Sequence, residues 1–373
     1  MSQLSLPKEP RLKELVLWVT TDCNLRCRYC YASGGDEVEY MDWRVAKRAL
    51  DIMIGQFSRF KIQFAGGEPL LNMDLIEQVV RYTQGLGIGY QLQTNATLID
   101  DKVAANLKRM GVDVGVSLDG LPEVNDSLRP FADGHGSTRA TIAGLEKLRV
   151  AGIRVGLTCV LSAENVAGLP GLVELASYLG NVEGIAIDLL RLIGRAREDS
   201  VRQADPTLAA RSVSAALRRA DELALMGGRR VRFREVERMR YLLINGIRRR
   251  YRCYFDAGQL LMVKPNGDAY PCASLAGFPQ FYLGNVLVQG FTDEVGVNLQ
   301  RCRQLITPPH YCLTCSRHWL CGGQCPAQTY SQQLAGEIKP TECYIKRAFI
   351  DYISDARKEI MSYESANQAS LSV

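Results

Sequence analysis

Apolar residues in the first half of the chain recur in short blocks separated by longer stretches of amphipathic character. "LVLWVT" (15–20), "KIQFAG" (61–66), "GYQLQT" (89–94), "VDVGVSL" (112–118), "IRVGLTCV" (153–160) and "GIAIDLL" (184–190) read as six strands. Between them, "DWRVAKRALDIMIGQF" places apolar residues three and four apart, as a helix requires. "STRATIAGLEKLRVAG" starts on a Ser/Thr cap and ends on Gly152. "DPTLAARSVSAALRRADELALMGG" offers Asp205 as cap, Pro206 at the first helical position and Gly227 after the end. Six consecutive strand–helix units predict an α/β fold with a parallel sheet and right-handed crossovers. Periodicity leaves open whether that sheet curls into a partial barrel.

Near residue 228 the alternation stops. Eight of the twelve cysteines lie from Cys253 to Cys343, in a region with little long periodicity. A small core held by metal is the natural solution for such a segment. "ECYIKRAFIDYISDARKEIMSY" then reads as an amphipathic helix, and the polar tail "ESANQASLSV" is expected to fray.

At 373 residues the chain has room for one large domain and a smaller one. Its 47% hydrophobic and 23% charged residues are those of an ordinary globular protein. Apolar runs such as "VGLTCVL" and "QLLMV" are too short to span a bilayer, and "MSQLSLPKEPRLKE" lacks the apolar core of a secretory signal. A cytoplasmic protein with no membrane partner is expected. There, cysteines serve metals or catalysis rather than disulfides. The net charge of +5 is modest, but arginines crowd residues 229–252. They form either a solvated helix face or a rim that attracts an anionic substrate. A nucleic-acid partner is not expected, because aromatic residues are sparse there and no recognition motif accompanies them.

The stretch "TTDCNLRCRYCYAS" carries Cys23, Cys27 and Cys30 in a C-x3-C-x2-C spacing. Three thiols are odd, so they do not pair off as disulfides. A structural zinc site wants four closed ligands, and no fourth follows nearby. A metal centre with three ligands and an open position remains. In the second group, Cys253-x13-Gly267-x4-Cys272 precedes Cys312, Cys315, Cys321 and Cys325 at x2, x5 and x3, with Cys343 seventeen residues on. A zinc ribbon competes, but seven or eight cysteines with only His310 and His318 nearby favour two all-thiolate iron–sulfur clusters.

These motifs resemble a known family. "CNLRCRYC" after the first strand resembles the signature of radical S-adenosylmethionine (radical SAM) enzymes. The second cysteine set resembles the seven-cysteine SPASM domain appended to one branch of them. The resemblance divides the chain into a lead-in (1–14), a partial (β/α)6 barrel (15–227), an arginine-rich bridge (228–252), a SPASM domain (253–345), and a C-terminal helix and tail (346–373). It implies three [4Fe–4S] clusters and S-adenosylmethionine as cofactors. Cys23, Cys27 and Cys30 would hold the first cluster, whose open iron chelates S-adenosylmethionine. Reductive cleavage then yields methionine and a 5'-deoxyadenosyl radical that abstracts a substrate hydrogen; the cofactor does the chemistry and the protein orients it.

The resemblance also assigns site residues. Tyr29 would pack by the adenine, with core packing as the alternative. Gly66 and Gly67 of "AGGEP" would allow close backbone approach at the edge where parallel βα folds place their sites, and Glu68 would accept from the methionine amino group. Thr94 and Asn95, then Ser117 and Asp119, suit the ribose and carboxylate. Arg129 would reach the methionine carboxylate, and Arg191 and Arg195 of "RLIGRAR" would line the same pocket. Cys253, Cys272 and Cys325 would serve the first auxiliary cluster, and because Gln259 stands near where some relatives place a cysteine, its fourth ligand would be Cys302 or its fourth iron would be open to substrate. Cys312, Cys315, Cys321 and Cys343 would serve the second. Cys159 is expected to be inert core.

The expected substrate is a peptide or protein side chain, modified by oxidation or cross-linking. About fourteen residues precede the first strand, so a separate recognition protein or direct docking is expected, with a flavodoxin- or ferredoxin-type reductant as further partner. Sulfatase-maturing relatives carry an aspartate after the cysteine that matches Cys272; Ala273 stands there, which argues against that activity. Asp256 and Asp268 are the nearby carboxylates, and neither rises above an ordinary turn residue. A carboxylate-rich small molecule, such as a tetrapyrrole or pterin-type precursor, is the alternative substrate. A pure electron carrier and a zinc-dependent nucleic-acid binder are the alternatives of other classes.

Overall fold

The computed structural model describes residues 12–56, 59–198, 201–336 and 338–370. Six parallel strands form its centre: β1 (Glu14–Thr20), β2 (Lys61–Gly66), β3 (Gly89–Thr94), β4 (Val112–Ser117), β5 (Val155–Leu161) and β6 (Val182–Leu189). The helices α1 (Trp43–Gln56), α2 (Met73–Tyr82), α3 (Asp101–Met110), α4 (Pro122–Leu128), α5 (Thr138–Val150), α6 (Leu169–Leu179) and α7 (Pro206–Leu225) connect and follow them. Local chemistry explains several ends. Asp100 Oδ1 caps α3 through the Val103 N–H at 2.7 Å, and Asp205 caps α7 through the Leu208 N–H at 2.9 Å. Ser137 does not cap α5. Its hydroxyl donates to the Arg129 carbonyl instead, and Asp126 accepts the Thr138 N–H.

The strands do not close on themselves. β6 pairs with the short β7 (Arg232–Phe233), which leads into α8 (Arg234–Ile244), while β1 pairs with β8 (Leu260–Val263). β9 (Asp268–Tyr270) and β10 (Gly284–Asn285) extend the sheet antiparallel to ten strands. The result is a mixed α/β partial barrel with the cysteine-rich segment continuing its sheet. The helices α9 (Phe291–Gln304), α10 (His310–Leu313), α11 (His318–Cys321), α12 (Pro326–Ala335) and α13 (Thr341–Ser370) complete the chain, and α13 packs on α7 and α8. It runs on into the polar stretch expected to fray, as far as Ser370. Among the described residues no helix is long and apolar enough to cross a membrane.

One face of the sheet carries Leu15, Leu17, Ile62, Phe64, Val114 and Leu157, all buried against the helices. The strand register puts Gln63, Gln93, Ser117, Thr158 and Asp188 on the opposite, concave face, with Gly115 and Gly156 between them. Gln93 Nε2 donates to Ser117 Oγ at 3.0 Å, and Thr158 Oγ1 donates to Gln93 Oε1 at 3.3 Å. Closed barrels fill this space with branched apolar side chains. Small and polar residues leave it open.

Five of the ten arginines of 229–252 are drawn into ion pairs, while Arg232, Arg234, Arg238, Arg248 and Arg250 are exposed. Arg229 pairs with Glu183, Arg230 with Asp221, Arg240 with Glu237, Arg249 with Glu235 and Arg252 with Glu342. They fasten α8 and the segment after it to the barrel and to α13.

Candidate active site

The loop after β1 carries Cys23, Cys27 and Cys30 across the C-terminal edge of the barrel. Backbone bonds hold it to the strand ends. The Gly67 N–H donates to the Thr20 carbonyl at 2.9 Å, and the Glu68 N–H to the Asp22 carbonyl at 2.7 Å. A Cβ on Gly67 would stand 2.0 Å from the Asp22 oxygen, so only glycine permits this approach. From the far side, Arg195 Nη1 donates to the Cys27 carbonyl at 3.0 Å, Nη2 to the Gly34 carbonyl, and the guanidinium pairs with Asp36. Gly194, at φ +59°, brings that brace to within reach; a Cβ there would meet the Cys30 oxygen at 2.4 Å.

Burial pushes the Cys23 thiol up to about 12, with Glu68, Cys27 and Cys30 adding to it. Burial likewise lifts Cys27 to about 11, against the pull of Arg129. Among the described residues no three His, Cys, Asp or Glu side chains converge tightly enough to enclose one metal ion. The three thiols instead stand within electrostatic range of one another.

Glu68 is fully buried and accepts three bonds: from Thr94 Oγ1 at 2.7 Å, the Asn95 N–H at 2.8 Å and the Leu70 N–H at 3.2 Å. Asn95 Nδ2 donates to Asn24 Oδ1 at 2.9 Å, which ties the end of β3 to the cysteine loop. Gly66, Gly67, Glu68, Thr94 and Asn95 therefore converge beside Cys23. Below Cys27 lies a second cluster. Arg129 Nη1 donates to the Tyr29 hydroxyl at 2.6 Å, Tyr29 donates to Asp119, and Arg129 and Asp119 are 3.8 Å apart. All three are buried. Ser117 stands apart from them, bonded to Gln93 on the concave face.

In the C-terminal half, Cys253, Cys272 and Cys325 act on one another electrostatically; burial lifts Cys253 to about 12 and Cys272 to about 11. A small cavity is lined by Cys312, Cys315, Cys321 and Cys343. Glu342 and Lys346 link the two groups. Glu342 accepts the Cys325 N–H at 2.7 Å and pairs with both Arg252 and Lys346 at 2.9 Å, and Lys346 Nζ donates to the Cys321 carbonyl at 3.3 Å. The structure does not bring Cys302 to either group. Its sulfur, buried on α9, lies 3.8 Å from the Gln280 carbonyl, and Arg301 is the charge acting on it. Cys159 is buried beside the Asp119 carbonyl. Asp256, in a turn, accepts the Arg252 N–H, and Asp268, at the start of β9, accepts from Asn266, Asn285 and Tyr282.

The profile of the Radical SAM superfamily matches residues 19–176. The mycofactocin maturase MftC of Mycobacterium ulcerans is 30% identical to this chain, over 87% of it and 86% of that protein. The chain belongs to the radical SAM superfamily, in its SPASM branch. An uncharacterised protein of Methanocaldococcus jannaschii is 36% identical over 74% of this chain and 89% of its own length. The Fe-coproporphyrin III synthase of Methanosarcina barkeri is 37% identical over 46% of this chain and 42% of its own. Among solved structures, anSMEcpe with bound AdoMet shares the fold with a TM-score of 0.77 at 20% identity, covering 95% of this chain and 96% of that one.

A radical SAM enzyme carries a [4Fe–4S] cluster and S-adenosylmethionine, and the residues present fit that pair. The Cys23 and Cys27 thiols, raised by burial and by the neighbouring sulfurs, are poorly matched to a metal-free site, and bound cations remove the mismatch by deprotonating them. Sequence patterns had not singled out Tyr31, Trp18, Asp188, Glu342 or Lys346 as part of the site. Two signals were there to find. Asp188 is a lone charge in the apolar strand "GIAIDLL", and Glu342 and Lys346 flank Cys343 at i, i+4 spacing.

Proposed function

We propose that this radical SAM enzyme oxidises or cross-links a side chain of a peptide or protein. The match to mycofactocin maturase carries the reading, because it runs through 87% of the chain and so includes the cysteine-rich half. Cys23, Cys27 and Cys30 would hold the radical SAM cluster. Two further [4Fe–4S] clusters would sit on Cys253, Cys272 and Cys325, and on Cys312, Cys315, Cys321 and Cys343. Bound together, the first cluster and S-adenosylmethionine supply a radical that takes a hydrogen atom from the substrate. The chain's own groups do the positioning. Glu68, held by Thr94 and Asn95, presents a carboxylate at the strand edge for the amino group. Arg129 would serve the methionine carboxylate from its place on Asp119 and Tyr29. Gly67, Gly194 and Arg195 hold the loop against the barrel. The open concave face receives the substrate, and the cysteine-rich half covers that edge with electron-accepting groups. A separate recognition protein and a flavodoxin- or ferredoxin-type reductant complete the proposal.

A tetrapyrrole substrate is favoured by one observation, the 37% identity to Fe-coproporphyrin III synthase, which is confined to less than half of this chain. Anaerobically reconstituted enzyme incubated with S-adenosylmethionine, dithionite and candidate precursor peptides is expected to give 5'-deoxyadenosine and peptides that have lost two hydrogens. Mass change in iron-coproporphyrin, with peptides left intact, would overturn the peptide reading.

A further inference from the structure

The exposed arginines of residues 229–252 take no part in the proposed chemistry, yet the fold sets them beside one cysteine group. Arg249 is the pin. It is buried, its N–H donates to the Trp319 carbonyl at 2.7 Å, and its Nη2 donates to the Arg252 carbonyl at 2.7 Å. Its side chain lies against Gly322, where a Cβ would meet Arg249 Cδ at 2.7 Å. Trp319 and Gly322 stand on either side of Cys321, one of the four cysteines around the small C-terminal cavity. With Arg249 turned inward, Arg248 and Arg250 are left exposed. Arg238 is exposed on α8, and burial together with the like charges of Arg249 and Arg252 presses its guanidinium below the ordinary value. Tyr241 follows Arg238 at i+3, Ile247 precedes Arg248, and Trp319 is the residue that Arg249 holds; all three are exposed. The carboxylates nearby are already paired: Glu235 with Arg249, Glu237 with Arg240, Glu342 with Arg252 and Asp351 with Arg317.

The edge over the first cysteine loop has the opposite sign. Thr20 Oγ1 donates to the Glu39 carbonyl at 2.8 Å and Thr21 Oγ1 to the Glu37 carbonyl at 2.6 Å, which laces that stretch along the loop and leaves Glu37 and Glu39 exposed. The cations there are spent, Arg26 and Arg195 on Asp36, Arg129 on Asp119 and Arg191 on Asp188. An acidic protein is therefore repelled at the first edge and attracted at the arginine surface. Electron transfer weakens steeply with distance, so a carrier must dock where a redox group comes near solvent. Cys315, Cys321 and Cys343 are only half-buried. Encounters between redox proteins are small, transient and steered by charge. We infer that the surface of Arg238, Arg248 and Arg250, over the second C-terminal cysteine group, docks a small acidic one-electron carrier protein. The carrier loses one electron there, and the iron–sulfur group on Cys312, Cys315, Cys321 and Cys343 gains it; no bond forms or breaks. This rests on the proposed cluster at those four thiols and gives the proposed reductant its place on the molecule.

The test uses anaerobically reconstituted holoenzyme, with flavodoxin as the acidic carrier. Isothermal titration calorimetry at low and high salt reads docking. Stopped-flow formation of the blue semiquinone from flavodoxin hydroquinone reads delivery. Wild type is expected to bind flavodoxin and to lose affinity steeply as salt rises. R248E/R250E, with melting temperature, iron content and reduction by dithionite unchanged, is expected to bind about tenfold or more weakly at low salt, to lose most of the salt dependence and to form semiquinone more slowly. K102E/R109E, at exposed positions of α3, changes the net charge equally and is expected to leave both readouts at the wild-type level. Equal binding by wild type and R248E/R250E would overturn the docking surface. Equal losses in both double variants would overturn it as well, since net charge alone would then explain them. Flavodoxin bound at this surface without semiquinone formation would overturn electron delivery. Should R248E/R250E lose iron or stability, R248Q/R250Q decides on the same criteria. All of these outcomes leave the peptide reading standing, whereas iron content unmoved by Cys312/Cys315→Ala would remove the cluster on which the inference rests.

Discussion

Arg129 and Asp119 form a buried ion pair with the Tyr29 hydroxyl wedged between them, and the backbone N–H of Val160 satisfies the other carboxylate oxygen at 2.8 Å. Its value lies in completeness, since removing one partner of a buried pair strands the other charge without compensation. Arg129→Met is expected to cost about 3–5 kcal/mol in chemical denaturation, because it strands the Asp119 charge in the interior. Asp119→Leu added to it should recover a good part of that loss. Additive losses in the double variant would show that the two do not act as a pair. At Glu68 the same logic concerns donors. Three N–H or O–H groups point at this carboxylate. An amide in its place sets a donor against donors. Glu68→Gln is expected to destabilise by about 1–3 kcal/mol and to weaken S-adenosylmethionine binding, measured by equilibrium dialysis.

At the scale of elements, the cysteine loop is fixed by what approaches it from β2 and β6. Gly67→Ala puts a Cβ on the Asp22 carbonyl, a backbone atom that cannot swing away. The expected outcome is selective loss of the iron held by this loop, with the C-terminal cysteines still loaded; full iron content would contradict it. α8 is fastened through Glu235, which burial pushes up but Arg252 and Arg249 hold down to about 2, from an ordinary 4.5. A folded value below the unfolded one stabilises the protein above pH 4.5, and that contribution fades as pH falls toward 2. By linkage it amounts to about 3 kcal/mol at most. The gap in urea midpoint between wild type and Glu235→Gln should therefore be present at pH 7 and shrink at about pH 3.5. A gap independent of pH would remove the charge from the explanation.

For the molecule as a whole, the sheet is the organising object. The pairing of β8 with β1 makes the cysteine-rich half an extension of the barrel, so its cysteines hang over the same edge as Cys30. Glu342 and Lys346 then join the two C-terminal groups into one electrostatic unit. About twelve irons per chain are expected after anaerobic reconstitution, at four per cluster, falling to about eight in the Cys23/Cys27/Cys30→Ala variant. Zinc without sulfide, or iron unmoved by the triple change, would refute the assignment of these thiols.

What the sequence determined by itself was whatever depends on local period and fixed spacing. The six strands, the cap at Asp205, the three-cysteine loop and the family resemblance all reside in residues close together in the chain. Tertiary structure decided the rest, because it depends on which distant residues share a face. Register alone turned Gln93, Ser117, Thr158 and Asp188 into one lining. The approach of β6 to the cysteine loop set Arg195 to bracing it and left Arg191 with an unused donor. The arginines of 229–252 read as a solvated helix face or a charged rim because the sequence shows them as neighbours. Folding supplied the carboxylates of Glu183, Asp221, Glu235 and Glu342 for four of them, and these pairs help hold the molecule together, while Arg232, Arg234 and Arg248 stay exposed.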